Sequence, residues 1–379
     1  MPTPTPTPVV TPIPLAQLPY IPDLPQTAQS YTLLLRDGQV LRAFDRESGT
    51  ERVVVDIAAQ TPLLLAERQD WVMPFEWGAA SPAGDKVALV LVDRSMTKVA
   101  LSRYSIHLLN VETGELELLT EDGRLPTWSP DGTRIAYRYR AAQEVPRVLM
   151  DGTRIIIGTQ QVWIEELRVV DVATKAITTL FTMETGSEHT VGEIQWSHSG
   201  DQIAFIQTFS DFANSGAVWT VPADDARKAT ELTPMDLYAG AVSWSSNDKQ
   251  IVILAFPVLI VDLETGDSKQ LTQIQYMNHY TRPVSIADTP WFVFAGTKWF
   301  EDEASSSSDI WIVNIHDGTL RRLTQAKEAN LYPKWVPHTD KLLFSEQGVG
   351  IWELDLQSGA KVQVYSKDVE YLVMPQVQR

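Results

Sequence analysis

Pro126-Thr127-Trp128-Ser129-Pro130-Asp131-Gly132-Thr133-Arg134-Ile135-Ala136-Tyr137 is the stretch on which the reading of the fold turns. Proline at residue 130 presets φ for the first corner of a tight turn, and Gly132 supplies a left-handed corner at no steric cost. Apolar residues on both sides then make strand, turn and strand. The same arrangement recurs as Phe75-Glu76-Trp77 before Val87-Ala88-Leu89-Val90, and as Ile194-Gln195-Trp196-Ser197-His198-Ser199-Gly200 before Ile203-Ala204-Phe205. Two more copies are Val242-Ser243-Trp244-Ser245 before Ile251-Val252-Ile253 and Pro333-Lys334-Trp335 before Leu342-Leu343-Phe344. A sixth, from Pro283 to Phe294, keeps the apolar strands and lacks the Trp-Ser-Pro-Asp-Gly turn.

A second pattern alternates with the first. A strand ends in Asp or Asn, and glycine follows four residues later: Asp45 with Gly49, Asn110 with Gly114, Asp262 with Gly266, Asn314 with Gly318, Asp355 with Gly359. Asp171 with Lys175 and the degenerate Pro222-Ala223-Asp224-Asp225 complete the series. The Asx side chain caps its own turn and glycine provides positive φ, so each copy is a hairpin. Seven hairpins of this kind alternating with six of the first kind predict an all-β chain of four-stranded antiparallel blades, the signature of a β-propeller. Seven blades are expected, with six and eight as alternatives. The strands at 32–35, 40–44 and 52–57 make an incomplete unit, and 369–377 is left to supply its fourth strand. The N- and C-terminal strands are therefore expected to share one blade and remove an open sheet edge.

Composition narrows the function. The 31 basic residues against 48 acidic ones leave a net charge of −17, and no basic cluster stands out, which argues against a nucleic-acid partner. With no cysteine there is no disulfide, thiolate metal site or cysteine nucleophile. No apolar run approaches the ~20 residues of a membrane span. Within the first 25 residues stand nine prolines and four threonines, with Asp23 the only charge. That composition favours extended polyproline II, so residues 1–30 are expected to be a spacer, the first 25 residues reaching ~70 Å or somewhat less at ~3.1 Å per residue, and 31–379 a single propeller domain. A spacer entered directly at Met1 leads to the expectation of an export or anchor segment upstream.

At 126–137 and in the weaker copies the chain resembles the TolB-type propeller repeat, a WD-like repeat of bacterial periplasmic proteins and of the propeller domains of prolyl-oligopeptidase-like peptidases. The match runs over roughly residues 70–366. It extends to the Leu-Thr pairs at 119–120, 232–233, 271–272 and 323–324 and to Ile310-Trp311 and Ile351-Trp352. The resemblance implies a propeller and an extracytoplasmic setting, in the periplasm or at the cell surface. TolB has six blades and an additional N-terminal domain, so its role does not transfer directly.

Chemistry is sparse. There is no Gly-x-Ser-x-Gly elbow, and strands occupy the length a hydrolase domain would need. His107, His189, His198, His279, His316 and His338 show no zinc-binding spacing. Asp131, Asp201, Asp248 and Asp340 lie in first-pattern turns, where a carboxylate bonds its own backbone; calcium would need six to eight converging oxygens. No catalytic residue, metal or cofactor is expected. Aromatic residues and arginine on loops are interface anchors. The candidates are Trp299 and Phe300 beside three carboxylates, Tyr276, His279, Tyr280 and Arg282 in the preceding connection, and Phe212 and Tyr238 from adjoining units. Ala141 to Gln161 reads as an inserted hairpin. The expected function is non-catalytic binding or scaffolding for a protein or peptide at a bacterial cell envelope. The alternative is a propeller enzyme or lectin with a composite site at its central channel.

Overall fold

A computed structural model describes residues 31–60, 75–93, 103–150, 154–184, 189–209, 216–234, 239–255, 258–271, 283–286, 289–296, 308–324, 329–337 and 339–375. The strands form seven four-stranded antiparallel sheets, the blade architecture of a seven-bladed β-propeller. In spatial order the first sheet is Glu370–Pro375, Tyr31–Asp37, Val40–Asp45 and Glu51–Asp56. The second is Phe75–Ala80, Lys86–Asp93, Arg103–Asn110 and Leu116–Glu121, and the third Gly123–Trp128, Arg134–Met150, Arg154–Asp171 and Ile177–Thr182. The fourth is His189–Trp196, Gln202–Phe209, Gly216–Pro222 and Thr230–Glu231, and the fifth Ala241–Trp244, Gln250–Leu254, Val258–Asp262 and Ser268–Leu271. The sixth comprises Val284–Ser285, Trp291–Gly296, Asp309–Asn314 and Leu320–Arg322. The seventh comprises Asn330–Trp335, Lys341–Glu346, Gly350–Asp355 and Lys361–Tyr365. Helix is limited among the described residues to single turns at Ile57–Gln60 and Ala226–Lys228, and no helix there is long and apolar enough to cross a membrane.

The terminal strands do share a sheet. Leu34 stands opposite Leu372 and Tyr31 opposite Pro375, so the last strand pairs along the whole of the first. The second-pattern turns also form as expected. In the six Asx copies the Asx carbonyl accepts from the N–H four residues on, as in Gly49 to Asp45 and Gly114 to Asn110, while in the degenerate seventh Asp225 N donates to Pro222 O. Glycines 49, 114, 266, 318 and 359 take positive φ, and Lys175 adopts the same conformation at φ 59°.

First-pattern turns are more uniform than their sequences. Six of them carry the same pair of backbone bonds: residue four donates to residue one, and residue one donates to residue six. The first residues are Ser81, Ser129, Ser197, Ser245, Ile286 and Val336, so the copy at 283–294 belongs to the series. In the four serine copies the buried hydroxyl accepts the sixth residue's N–H at 2.9–3.1 Å. Ile286 and Val336 have no hydroxyl, and Thr289 and Thr339 three residues later accept that N–H instead. A buried amide must be satisfied, and either position can do it. Aspartate's part is narrower than expected. Asp131 accepts from Ser129 Oγ at 2.5 Å and Thr133 N at 3.0 Å, but Ser199 and Asn247 occupy the equivalent place in the next two turns. Asp248 sits at the left-handed corner, φ 57°.

One alignment needs correction. Ala80 pairs with Val87 as Trp128 pairs with Ile135 and Trp196 with Ile203, so Ala80, not Trp77, occupies the repeat position in the second sheet. A register shift between Glu76 and Ala79 separates Trp77 from it.

Two compact units contain these sheets, Ser30–Trp244 with Glu370–Arg379, and Ser245–Val369. In the first unit Val87, Leu89 and Leu91 pack with Leu34, Leu41 and Met374 between the first and second sheets. Trp128, Ile135 and Tyr137 pack with Val90, Ile106 and Leu108 between the second and third, and Trp196 and Phe205 pack with Leu167 and Met183 between the third and fourth. Indole N–H groups add a staple at the three steps from the second sheet to the fifth. Trp128 Nε1 donates to Ala79 O, Trp196 to Thr127 O and Trp244 to Gln195 O, at 2.8–3.1 Å. In the second unit Trp291, Ile310 and Phe344 centre the core, and Trp335 bonds Thr339 O in its own turn.

Candidate binding surface

All eight candidate anchors, Phe212, Tyr238, Tyr276, His279, Tyr280, Arg282, Trp299 and Phe300, lie outside the described residues, as does His338. What can be built is the scaffold from which their segments leave. In the second unit the segment carrying Trp299 and Phe300 rejoins the sixth sheet at Ser308-Asp309, and there the chain buries a polar node. Arg322 Nη2 bonds Asp309 Oδ2, Thr324 Oγ1 donates to Asp309 Oδ1 at 3.1 Å, and Asn330 Nδ2 donates to Thr324 Oγ1 at 3.0 Å. Asn330 N donates to Ser308 O at 2.6 Å, which ties the seventh sheet to the sixth. Thr324 also accepts from Ile310 N, and Thr233 does the same for Val218 N in the fourth sheet. At Leu323-Thr324 the pair is a strand closure, with leucine in the core and threonine satisfying a third-strand amide; Thr233 does the latter, whereas Thr120 donates to Glu121 O. Burial strengthens such charge-assisted bonds and makes them costly to break.

In the first unit the segment carrying Phe212 leaves between Phe209 and Gly216. Phe209 is 42% exposed, and its ring meets His189 edge-on at 5.4 Å. A Cβ on Gly216 would lie 2.6 Å from Gln207 O, so glycine is required where the strand re-enters. The third sheet holds the inserted hairpin, which is no separate element but a continuation of Arg134–Met150 and Arg154–Asp171. Its root is an ion network. Glu165, buried, takes a two-pronged contact from Arg138 at 2.7 Å on each oxygen, and Arg140 Nε lies 3.0 Å away. The Arg140 guanidinium covers the Trp163 ring at 4.4 Å. On the opposite face Arg168 lies 3.3 Å over Tyr139 and bonds Glu166. Sequence reading missed this network because its members stand 27 residues apart and only strand register joins them.

Ordinary acid–base chemistry has little support here. No group of three His, Cys, Asp or Glu side chains among the described residues could hold a metal ion. Burial holds His107 below the usual imidazole range, and the Ser129 hydroxyl and Thr133 N–H hold Asp131 below the usual carboxylate range. Backbone donors from Thr174 and Thr265 lower Asp171 and Asp262 in the same way. The signs fix a pH response. His107 prefers neutrality when folded, so its share of stability is complete above the unfolded value of 6.5 and falls as pH drops below it. The aspartates' share is lost below 3.8, their unfolded value. The melting temperature is expected to be level between pH 8 and about 7, to decline from about 6.5, and to steepen below about 4. In His107→Gln the first decline should shrink; an identical decline would assign it elsewhere.

Sheets, turns and terminal pairing define a seven-bladed β-propeller of four-stranded antiparallel blades. No family model and no curated protein matches the sequence. Solved structures do. Puromycin hydrolase is 13% identical, with 94% of this chain and 56% of that one covered at a TM-score of 0.59. The β-propeller domain of the trilobed protease from Pyrococcus furiosus is 14% identical, with 79% and 89% covered at 0.51. TolB from Acinetobacter baumannii is 15% identical, with 92% and 67% covered at 0.46. The likeness is one of fold, and the chain spans about half the length of the peptidase structures it matches, 47% for the acylaminoacyl peptidase of Pyrococcus horikoshii.

Proposed function

We propose that the protein is a non-catalytic propeller that binds a protein or peptide, or scaffolds an assembly, at a bacterial cell envelope. The observation that carries this reading is the largely buried Asp309–Arg322–Thr324–Asn330 node, which fixes the strand start at which the segment with Trp299 and Phe300 rejoins the sixth sheet. Recognition loops need a rigid base, and here a partly buried ion pair helps to form it. Aromatic and arginine side chains in the connections, Tyr276, Tyr280, Arg282, Trp299 and Phe300, supply anchors. The net charge of −17 favours basic partners by electrostatic steering. Residues 1–30 serve as an extended spacer ahead of the propeller.

The test is affinity capture from the native source by the full chain and by the Trp299→Ala/Tyr280→Ala double variant, with melting temperatures taken in parallel. Loss of a stoichiometric partner at unchanged stability is expected. Retained capture by the double variant would refute the assignment of these anchors.

A further inference from the structure

The long hairpin runs past its own sheet. The strand Gly123–Trp128 last pairs at Tyr139, and Ile177–Thr182 last pairs at Glu166, yet the two long strands continue pairing with each other to Met150 and Arg154. Eleven residues at ~3.3 Å each make an arm ~35 Å long. Among the described residues no strand pairs with either of its edges.

The two edges are not equivalent. Arg140 N donates to Asp122 O, so in that strand residues 140, 142, 144 and 146 turn their backbone groups to the outer edge, by the alternation of a pleated strand. Position 146 is proline, which has no N–H to offer. That edge is blunted at its middle. On the other strand Glu165 O accepts from Met183 N, so 165, 163, 161 and 159 face the opposite outer edge. No proline interrupts it, and Thr159 and Gln161 are exposed. The register shift between Ile156 and Gly158 ends the regular stretch. Among the described residues one open edge remains, Thr159 to Trp163, and an unpaired edge of this kind is a template for another strand.

We infer that this edge pairs with the same edge of a second copy of the chain, antiparallel about a twofold axis at Gln161. That register sets Gln161 opposite Gln161 and Thr159 opposite Trp163 twice, a β-branched and aromatic pair of the favourable kind. It uses all three outward positions of the open stretch. Charge favours a self-partner at this place. Between Arg140 and Glu165 the sequence has three arginines (140, 147, 154) and three carboxylates (Glu144, Asp151, Glu165), so the arm is neutral in a chain of net charge −17. Two copies repel through their bodies, but an arm that outreaches the ~10 Å screening length at 0.1 M salt lets neutral segments meet. The inference is independent of the partner-binding reading above.

Sedimentation velocity of the full chain from about 1 to 200 μM should show a monomer–dimer equilibrium that tightens from 20 mM to 500 mM salt, as screening relieves body repulsion. Gln161→Pro removes one outward N–H and should weaken dimerisation at least tenfold with little change in melting. The protein has no cysteine, so Gln161→Cys places its only thiol on the axis, and a short bis-maleimide should convert it to a covalent dimer. Glu144→Cys, on the blunted edge, should remain monomeric under the same treatment. A wild-type monomer at every concentration overturns the inference, as does equal cross-linking of the two cysteine variants. If Gln161→Pro fails to fold, the cysteine pair still decides.

Discussion

Deleting residues 368–379 is expected to abolish the cooperative thermal transition and yield soluble aggregates. The lost strand is the inner member of the first sheet, paired residue for residue from Tyr31–Pro375 to Arg36–Glu370. Without it the backbone of Tyr31–Asp37 is an open edge flanked by Leu33, Leu34 and Leu35, all fully buried in the intact protein. Met374 leaves the core it shares with Leu34 and Val87. Tyr371, whose burial pushes its hydroxyl pKa well above the usual phenol value, leaves too. Each such side chain contributes ~1.5–3 kcal/mol, and Arg36, 5% exposed, also loses its 2.9 Å contact with Glu370. Against a net stability of ~5–15 kcal/mol the combined loss is decisive. Calorimetry and size exclusion on the truncated chain provide the check, and a wild-type transition would show that the terminal pairing is dispensable.

Replacing Trp128 by alanine should lower stability by ~3–5 kcal/mol, the usual range for deleting a buried tryptophan. The indole is 8% exposed and packs with Val90, Ile106 and Tyr137 between two sheets. Its N–H is also the bond to Ala79 O, so the variant leaves that carbonyl without its donor. Trp128→Phe separates the two effects: it restores most of the ring volume and should recover all but ~1 kcal/mol. Chemical denaturation with both variants measures the split. Trp335→Ala should cost less, because Trp335 is only partly buried and bonds within its own turn. Equal losses at 128 and 335 would contradict the role assigned to the staple.

Much of the architecture is legible in the residues because the turns are local chemistry. Asx and glycine four apart, or proline followed by glycine two residues later, state their backbone conformation directly, and every such glycine among the described copies has positive φ. What escapes the eye is whatever depends on register. Trp77 looks like the repeat tryptophan until the shift after Glu76 moves Ala80 into that place. Ile286 and Val336 look like failed turns because the hydroxyl that completes them has moved to Thr289 and Thr339. Glu165 meets Arg138 and Arg140 only because the long strands align, and nothing in the local sequence of either announces it. The candidate anchors are a different case: they were chosen by residue type in loops, where no periodicity constrains position, and they fall outside the described residues.

Three indoles gripping the main chain of the neighbouring blade also have a mechanical meaning. From Ala79 through Trp128, Thr127 through Trp196, and Gln195 through Trp244, each link attaches beside the foot of the previous one. Load applied at one inner strand passes to the next through short, stiff polar bonds, while apolar packing alone would let the sheets slide. Force on any of these strands would therefore be shared along the series and not borne by one sheet alone.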